Sequence, residues 1–145
     1  NYIYYIIVNL NTIKQVKVID LSTIKSRGSN LTIFEHVDTH FTIKRIFSVE
    51  YKNKINSKRG YHAHKNCEQI ITCLFGNIKF KVFDGNNFKE FKINRNKAIF
   101  VPNHIWTETT YLKMNTILIC YCSNYYDEKS YIRDYEDFLK FRKRI

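Results

Sequence analysis

Glycine and proline are scarce in this chain, at 4 and 1 of 145 residues. No segment has the composition of a flexible or Pro-rich linker, and there is no internal repeat or low-complexity run. Cysteine is sparse and wrongly spaced for a zinc ribbon: Cys67, Cys73, Cys120 and Cys122 make no Cys-x-x-Cys. Cys120 and Cys122 sit two apart in an apolar run, which places them on one face of a strand as small core residues of a reducing compartment. Acidic residues are few, 13 against 24 Lys and Arg. No apolar run is long enough to span a bilayer. The apolar stretch Asn1 to Leu10 is short, has no basic residue before it, and fits a strand better than a signal peptide. A cytoplasmic protein without a membrane partner is expected.

What is present is a globular composition, 44% hydrophobic and 16% aromatic. The length suits one domain spanning residues 1–145, large enough to bury a core without staples. The net charge of +11 is spread out. Lys79 and Lys81 alternate with Ile78, Phe80 and Val82, and Lys140, Arg142, Lys143 and Arg144 form a basic tail. That distribution is a solvated surface and not a nucleic-acid footprint, so no nucleic acid is expected as a partner. It also suits a small anionic substrate.

Short β-branched and aromatic segments recur along the chain. They run over Tyr2–Val8, Val16–Leu21, Leu31–Glu35, Phe41–Tyr51, Gln69–Phe75, Ile78–Phe83, Phe88–Ile93, Ile99–Val101, Ile105–Thr109 and Thr116–Cys122. Ser26-Arg27-Gly28-Ser29 and Gly76-Asn77 are turns, and Asp84-Gly85-Asn86-Asn87 is the strongest hairpin signal. The period then changes: Tyr131, Ile132, Tyr135, Phe138 and Leu139 recur at helical spacing. Ser123 or Asn124 is placed to cap that helix, with Asp127 and Glu128 favoured near its N-terminus. Many strands and one terminal helix predict an all-β jelly roll or sandwich closed by a C-terminal helix.

Arg59-Gly60-Tyr61-His62-Ala63-His64 carries the chemistry. Alternation on a strand points both histidines to one face. With Gln69 and Gly76 downstream, the pattern resembles the first signature of the cupins, jelly-roll barrels that hold a ligand inside. A second signature would lie around Pro102-Asn103-His104-Ile105-Trp106-Thr107, and there Thr107 stands where a metal cupin needs a third histidine. Gln69, at the carboxylate position, is a neutral and weak ligand. Glu68 shares the parity of His62 and His64 and is the alternative carboxylate. Without a metal, a buried imidazole beside cations is held neutral, ready to move a proton next to a carbonyl. No cofactor is then needed.

The chain also resembles the dTDP-sugar 3,4-ketoisomerases, over Ile19 to Phe138. The likeness rests on Ser26-Arg27-Gly28-Ser29, Phe41-Thr42-Ile43-Lys44-Arg45, Arg59-Gly60-Tyr61-His62-Ala63-His64-Lys65, Asp84-Gly85, Trp106-Thr107-Glu108, Tyr125-Tyr126-Asp127-Glu128 and Tyr131-Ile132-Arg133-Asp134-Tyr135. It implies a metal-free cupin, usually a homodimer, that converts dTDP-4-keto-6-deoxyglucose to a 3-keto sugar. The product would pass to a PLP-dependent aminotransferase and end in an amino sugar of a bacterial surface glycan. By the same resemblance, His62 is the base between carbons 3 and 4, and His64 orients it or shares the transfer. Arg45 and Arg59 would serve the enediolate and diphosphate, and Trp106 would stack on thymine or sugar. Arg27 and Thr107 occupy positions associated with configuration at carbon 4: Arg27 agrees with the 3-keto-6-deoxygalactose product, while Thr107 matches neither type. Members often carry Tyr where this chain has Phe47. The alternatives are a related 3,5-epimerase cupin and a sugar-binding cupin without turnover.

Overall fold

A computed structural model describes residues 9–35 and 41–143. The strand expected over Tyr2–Val8 lies outside them. The elements in order are β1 (Lys17–Asp20), β2 (Ser22–Ser26), β3 (Ser29–Ile33), β4 (Arg45–Tyr51), β5 (Lys58–His64), β6 (Gln69–Phe75), β7 (Ile78–Phe83), β8 (Phe88–Ile93), β9 (Lys97–Val101), β10 (Trp106–Tyr111), β11 (Thr116–Cys122), β12 (Tyr131–Ile132) and α1 (Tyr135–Lys143). Two five-stranded antiparallel sheets form, β1-β9-β6-β11-β4 and β12-β5-β10-β7-β8, with β2-β3 as a separate hairpin. This is the expected jelly-roll plan with one C-terminal helix, its strands in two facing sheets that do not close into a continuous barrel. No helix among the described residues is long and apolar enough to cross a membrane.

Period-2 alternation builds the core. Ile78, Phe80 and Val82 of β7 are buried while Lys79 and Lys81 face outward. The facing sheet contributes Ile71, Cys73, Ile99, Leu118 and Cys120 to the same cluster. Cys67, Cys73, Cys120 and Cys122 are all buried and unbridged. The Asp84 turn does more than close a hairpin. Its carboxylate accepts from the backbone N–H groups of Asn86, Asn87 and Ile13, at 3.0, 2.8 and 3.0 Å. The last bond ties the N-terminal segment to the far sheet.

The end of the chain departs from expectation. Tyr131 and Ile132 are not helical: they form β12 and pair with His64 and Ala63 of β5. Asp127 caps a single 3₁₀ turn, Glu128–Ser130, which hands the chain to β12 in extended form. Ser123 and Asn124 cap no helix; Ser123 Oγ accepts from the Glu68 N–H and Asn124 donates to the Asn66 carbonyl. Instead α1 starts after Asp134, whose Oδ1 accepts from the Asp137 N–H at 2.9 Å. The spacing of Tyr135 and Phe138 is helical, and extending it back through Ile132 merged a strand into a helix.

Helix α1 covers the outer face of the second sheet. Phe138 is fully buried there against Ala63, Trp106 and Ile132, with Phe83 beside them. Truncating it leaves a cavity in a closed cluster. Phe138→Ala is expected to cost about 3–5 kcal/mol in urea unfolding; a loss under about 1 kcal/mol would show that the helix is not docked this way.

Candidate active site

The site is made by a bulge in β5. Thr109 pairs with Arg59 and Thr107 with His62, but Glu108 pairs with Gly60, so Tyr61 is an extra residue. Gly60 has φ +96° and Tyr61 φ +54°. That left-handed pair absorbs the insertion, as in bulges that begin with glycine. A Cβ on residue 60 would stand 3.0 Å from the Thr107 carbonyl oxygen. The consequence is one of parity. Arg59 and His62 are three apart and would oppose each other on a straight strand; the bulge turns both inward. Ala63 faces outward under α1, and His64 points inward again.

Inside the barrel, a cavity of about 240 Å³ is lined by Arg59, His62, Gln69, Thr107, Tyr131 and Arg133, with apolar walls from Phe47, Ile71, Phe80 and Leu118. Arg45, Cys122 and Gln69 are paired neighbours across β4, β11 and β6 at this end of the barrel. An Arg45 Nη donates to Cys122 Sγ at 3.5 Å. The ring centroids of His62 and His64 are 5.0 Å apart and edge-on, and Tyr131 lies 5.3 Å from the first and 4.3 Å from the second. Arg133 stacks 4.2 Å from the Tyr131 ring centroid and is held by a two-pronged pair to Glu128 at 2.8 and 3.0 Å.

The electrostatics hold both imidazoles neutral. Burial lowers the pKa of His62, and Arg133 adds to this, while the Gly60 backbone and Glu128 oppose it. His64 is pushed down to about 3, first by burial and then by His62, Arg45 and Arg133. Glu128 is held down to about 2 by its hydrogen bonds to Arg133 and Tyr126. Arg45 Nε and both ring nitrogens of His64 are buried polar atoms without a hydrogen-bond partner in the fold. Each such atom costs about 1–3 kcal/mol when left unpaired.

The comparisons agree with that geometry. A family model described as "FdtA: WxcM-like, C-terminal" matches residues 14–143. This chain belongs to the FdtA family. It is 34% identical over 131 residues to a TDP-4-oxo-6-deoxy-alpha-D-glucose-3,4-oxoisomerase of Aneurinibacillus thermoaerophilus, covering 89% of this chain and 94% of that protein. Two solved structures are similar. QdtA, a sugar 3,4-ketoisomerase of Thermoanaerobacterium thermosaccharolyticum in complex with TDP, has 29% identity and a TM-score of 0.81, covering 88% of this chain and 94% of its own. A 3,4-ketoisomerase of Helicobacter canadensis has 30% identity and a TM-score of 0.82, covering 89% and 98%.

In this FdtA-family chain His62, Arg59 and Thr107 line the cavity, while His64 stands behind it against His62 and Tyr131 and Arg45 beside it on Cys122. It does not bring in Trp106, which is 3% exposed on the opposite face of β10, packed under α1, with Nε1 donating to Glu108 at 3.3 Å. A ring buried there stacks on the helix, not on a ligand in the cavity. Arg27 lies in the exposed β2–β3 turn with φ +45° and does not line the cavity. The donor set for a metal does not close either. Gln69 donates to Cys122 Sγ, the Thr107 hydroxyl donates to the His62 carbonyl, and among the described residues no three His, Cys, Asp or Glu side chains converge. Tyr131, Arg133 and Glu128 escaped the sequence reading as site residues. The signal was the 131–135 block itself, whose Tyr131 and Arg133 flank buried Ile132 with strand-like alternation.

The buried His64 generates a stability prediction. In the unfolded chain it takes a proton from about pH 6.5, but in the fold only near pH 3. Stability is therefore intact above about 6.5 and falls as pH drops from there towards 3. Between pH 7 and 5 the loss from this group is about 2 kcal/mol. Urea unfolding of His64→Asn is expected to show that much less acid sensitivity than the wild type; an equal slope would place His64 in water.

Proposed function

We propose that this chain is a dTDP-4-keto-6-deoxyglucose 3,4-ketoisomerase. The observation that carries the reading is the neutral, inward-facing His62 at the floor of an arginine-ringed cavity, in a chain of this family. The carbonyl at carbon 4 acidifies the hydrogen on carbon 3. A neutral imidazole removes it, and an enediol forms with charge developing on oxygen. The same imidazolium then returns a proton at carbon 4, leaving the keto group at carbon 3. Arg45 and Arg59 supply fixed positive charge to the oxygens, and the apolar walls keep water from weakening it. His64, with its ring edge against His62, keeps that imidazole in place.

At about 240 Å³ the cavity is smaller than the roughly 300–1,000 Å³ that encloses a drug-sized ligand, so it takes the sugar and leaves the nucleotide outside. A groove of about 450 Å³ shares Tyr131 and Arg133 with the cavity and adds Lys65 and Lys140. Those cations suit the diphosphate. The names of the similar enzymes support a TDP-linked keto sugar as substrate. The preference for the 3-keto-6-deoxygalactose product rests on the family resemblance at Arg27 alone, since that residue stands outside the cavity of this chain. We read the protein as a cytoplasmic homodimer whose product feeds a PLP-dependent aminotransferase in the making of a bacterial surface glycan.

Incubation with dTDP-4-keto-6-deoxyglucose in deuterated water, followed by NMR, tests this. The expected result is migration of the keto group with label at carbons 3 and 4. Label at carbons 3 and 5 with the 4-keto group retained would instead make it an epimerase, and binding without reaction a sugar-binding cupin. His62→Asn is expected to lower kcat by about 10²–10⁴-fold.

A further inference from the structure

Moving a carbonyl between adjacent carbons moves two hydrogens, not one. His62 accounts for the hydrogen that travels from carbon 3 to carbon 4. The other must leave the hydroxyl oxygen on carbon 3 and arrive at the oxygen on carbon 4, and the groups assigned so far do not carry it. Arg45 and Arg59 stay protonated throughout and donate hydrogen bonds without giving up a proton. His64 is neutral at working pH and has no imidazolium proton to give. The threonine hydroxyls of the cavity are too weakly acidic.

The Cys120 thiol also lines the cavity, but burial pushes its pKa up to about 12, which makes it a poorer acid than a phenol. A phenol is the remaining class of side chain that can give and retake a proton here. Tyr111 also lines the cavity, but it stacks on Tyr51 with ring centroids 3.9 Å apart, and it lies at the other end of β10 from Thr107, the partner of His62. Four residues of strand separate them, about 13 Å. Phe47 has no hydroxyl. Tyr126 is exposed, with its hydroxyl donated to Glu128. Tyr131 alone among the cavity-lining residues described combines a phenol with contact to both imidazoles. Two cations attend it: Arg133 lies 4.2 Å from its ring centroid, and the Arg45 guanidinium is electrostatically coupled to it. Such neighbours stabilise a phenolate that exists only in passing.

We propose that the Tyr131 hydroxyl is the carrier on the oxygen side of the reaction. It gives its proton to the carbon-4 oxygen as His62 takes the hydrogen from carbon 3. The phenolate then takes the proton from the carbon-3 hydroxyl as His62 delivers to carbon 4. The O–H bond of Tyr131 breaks and re-forms, His62 ends neutral, and the sugar leaves as an isomer with no net change in protons or electrons. This assignment rests on the ketoisomerase reading of the same cavity.

The test compares keto migration with hydrogen exchange at carbon 3 in deuterated water, for wild type and Tyr131→Phe. The variant is expected to lose roughly 100-fold or more in kcat, with KM within about threefold. Exchange at carbon 3 is expected to fall less steeply than migration, because enolisation loses only the phenol's proton donation while migration also needs the phenolate to take the carbon-3 hydroxyl proton. Tyr131→Phe with kcat within threefold of wild type, or with exchange and migration lost equally, overturns the assignment. Absence of migration in the wild type itself sinks the ketoisomerase reading and the assignment with it. Should the phenyl variant fold poorly, 3,5-difluorotyrosine at position 131 keeps the bulk and the hydroxyl while making the phenol more acidic. The basic limb of kcat should then move to lower pH, and an unmoved limb overturns the proposal.

Discussion

One inserted residue in β5 decides what this barrel can do. Strand side chains alternate, so a regular β5 would send Arg59 and His62 to opposite faces. With Tyr61 left over between Gly60 and His62, both enter the cavity, and the register recovers in time for Ala63 to close the outer core. The conformation favours glycine at position 60, where φ is +96° and a Cβ would stand 3.0 Å from the Thr107 carbonyl oxygen. Placement of the base and placement of a cation beside it are thus one backbone event.

Burial then sets the chemistry. Burying two imidazoles near the guanidinium groups of Arg45 and Arg133 makes their protonation costly, so they stay neutral where exposed histidine would be partly charged. Under the proposed function, the Arg45 charge that depresses His64 would also favour negative charge on the sugar oxygens. Glu128 balances the cations from outside, pinning Arg133 through a two-pronged pair while standing away from the cavity floor. The unpartnered nitrogens of His64 and Arg45 are the cost of that arrangement.

Much of this was legible in the sequence. Alternation in Ile78 to Phe83 gave β7 its inward and outward faces, and Asp84-Gly85 gave the hairpin after it. The shared face of His62 and His64 followed from a spacing of two. What parity could not show was Arg59, because a bulge leaves only a glycine behind it, and glycine alone does not announce one. Trp106 misled for the opposite reason. An aromatic ring near a ligand signature invites a stacking role, yet its parity on β10 is that of Glu108, and α1 buries that face. Tyr131 was hidden by a periodicity shared with the helix: Tyr131, Tyr135 and Phe138 sit at helical intervals although Tyr131 belongs to a two-residue strand. Only the pairing of Tyr131 with His64 reveals which period governs it.

The account stands on His62 being an uncharged base because the fold keeps water and protons from it. The pH dependence of kcat/KM reads the ionisation of that base in the free enzyme. The account predicts an acid limb below the ordinary histidine value of about 6.5. A limb at or above that value would contradict it, since it would mean that the ring titrates as if in solvent.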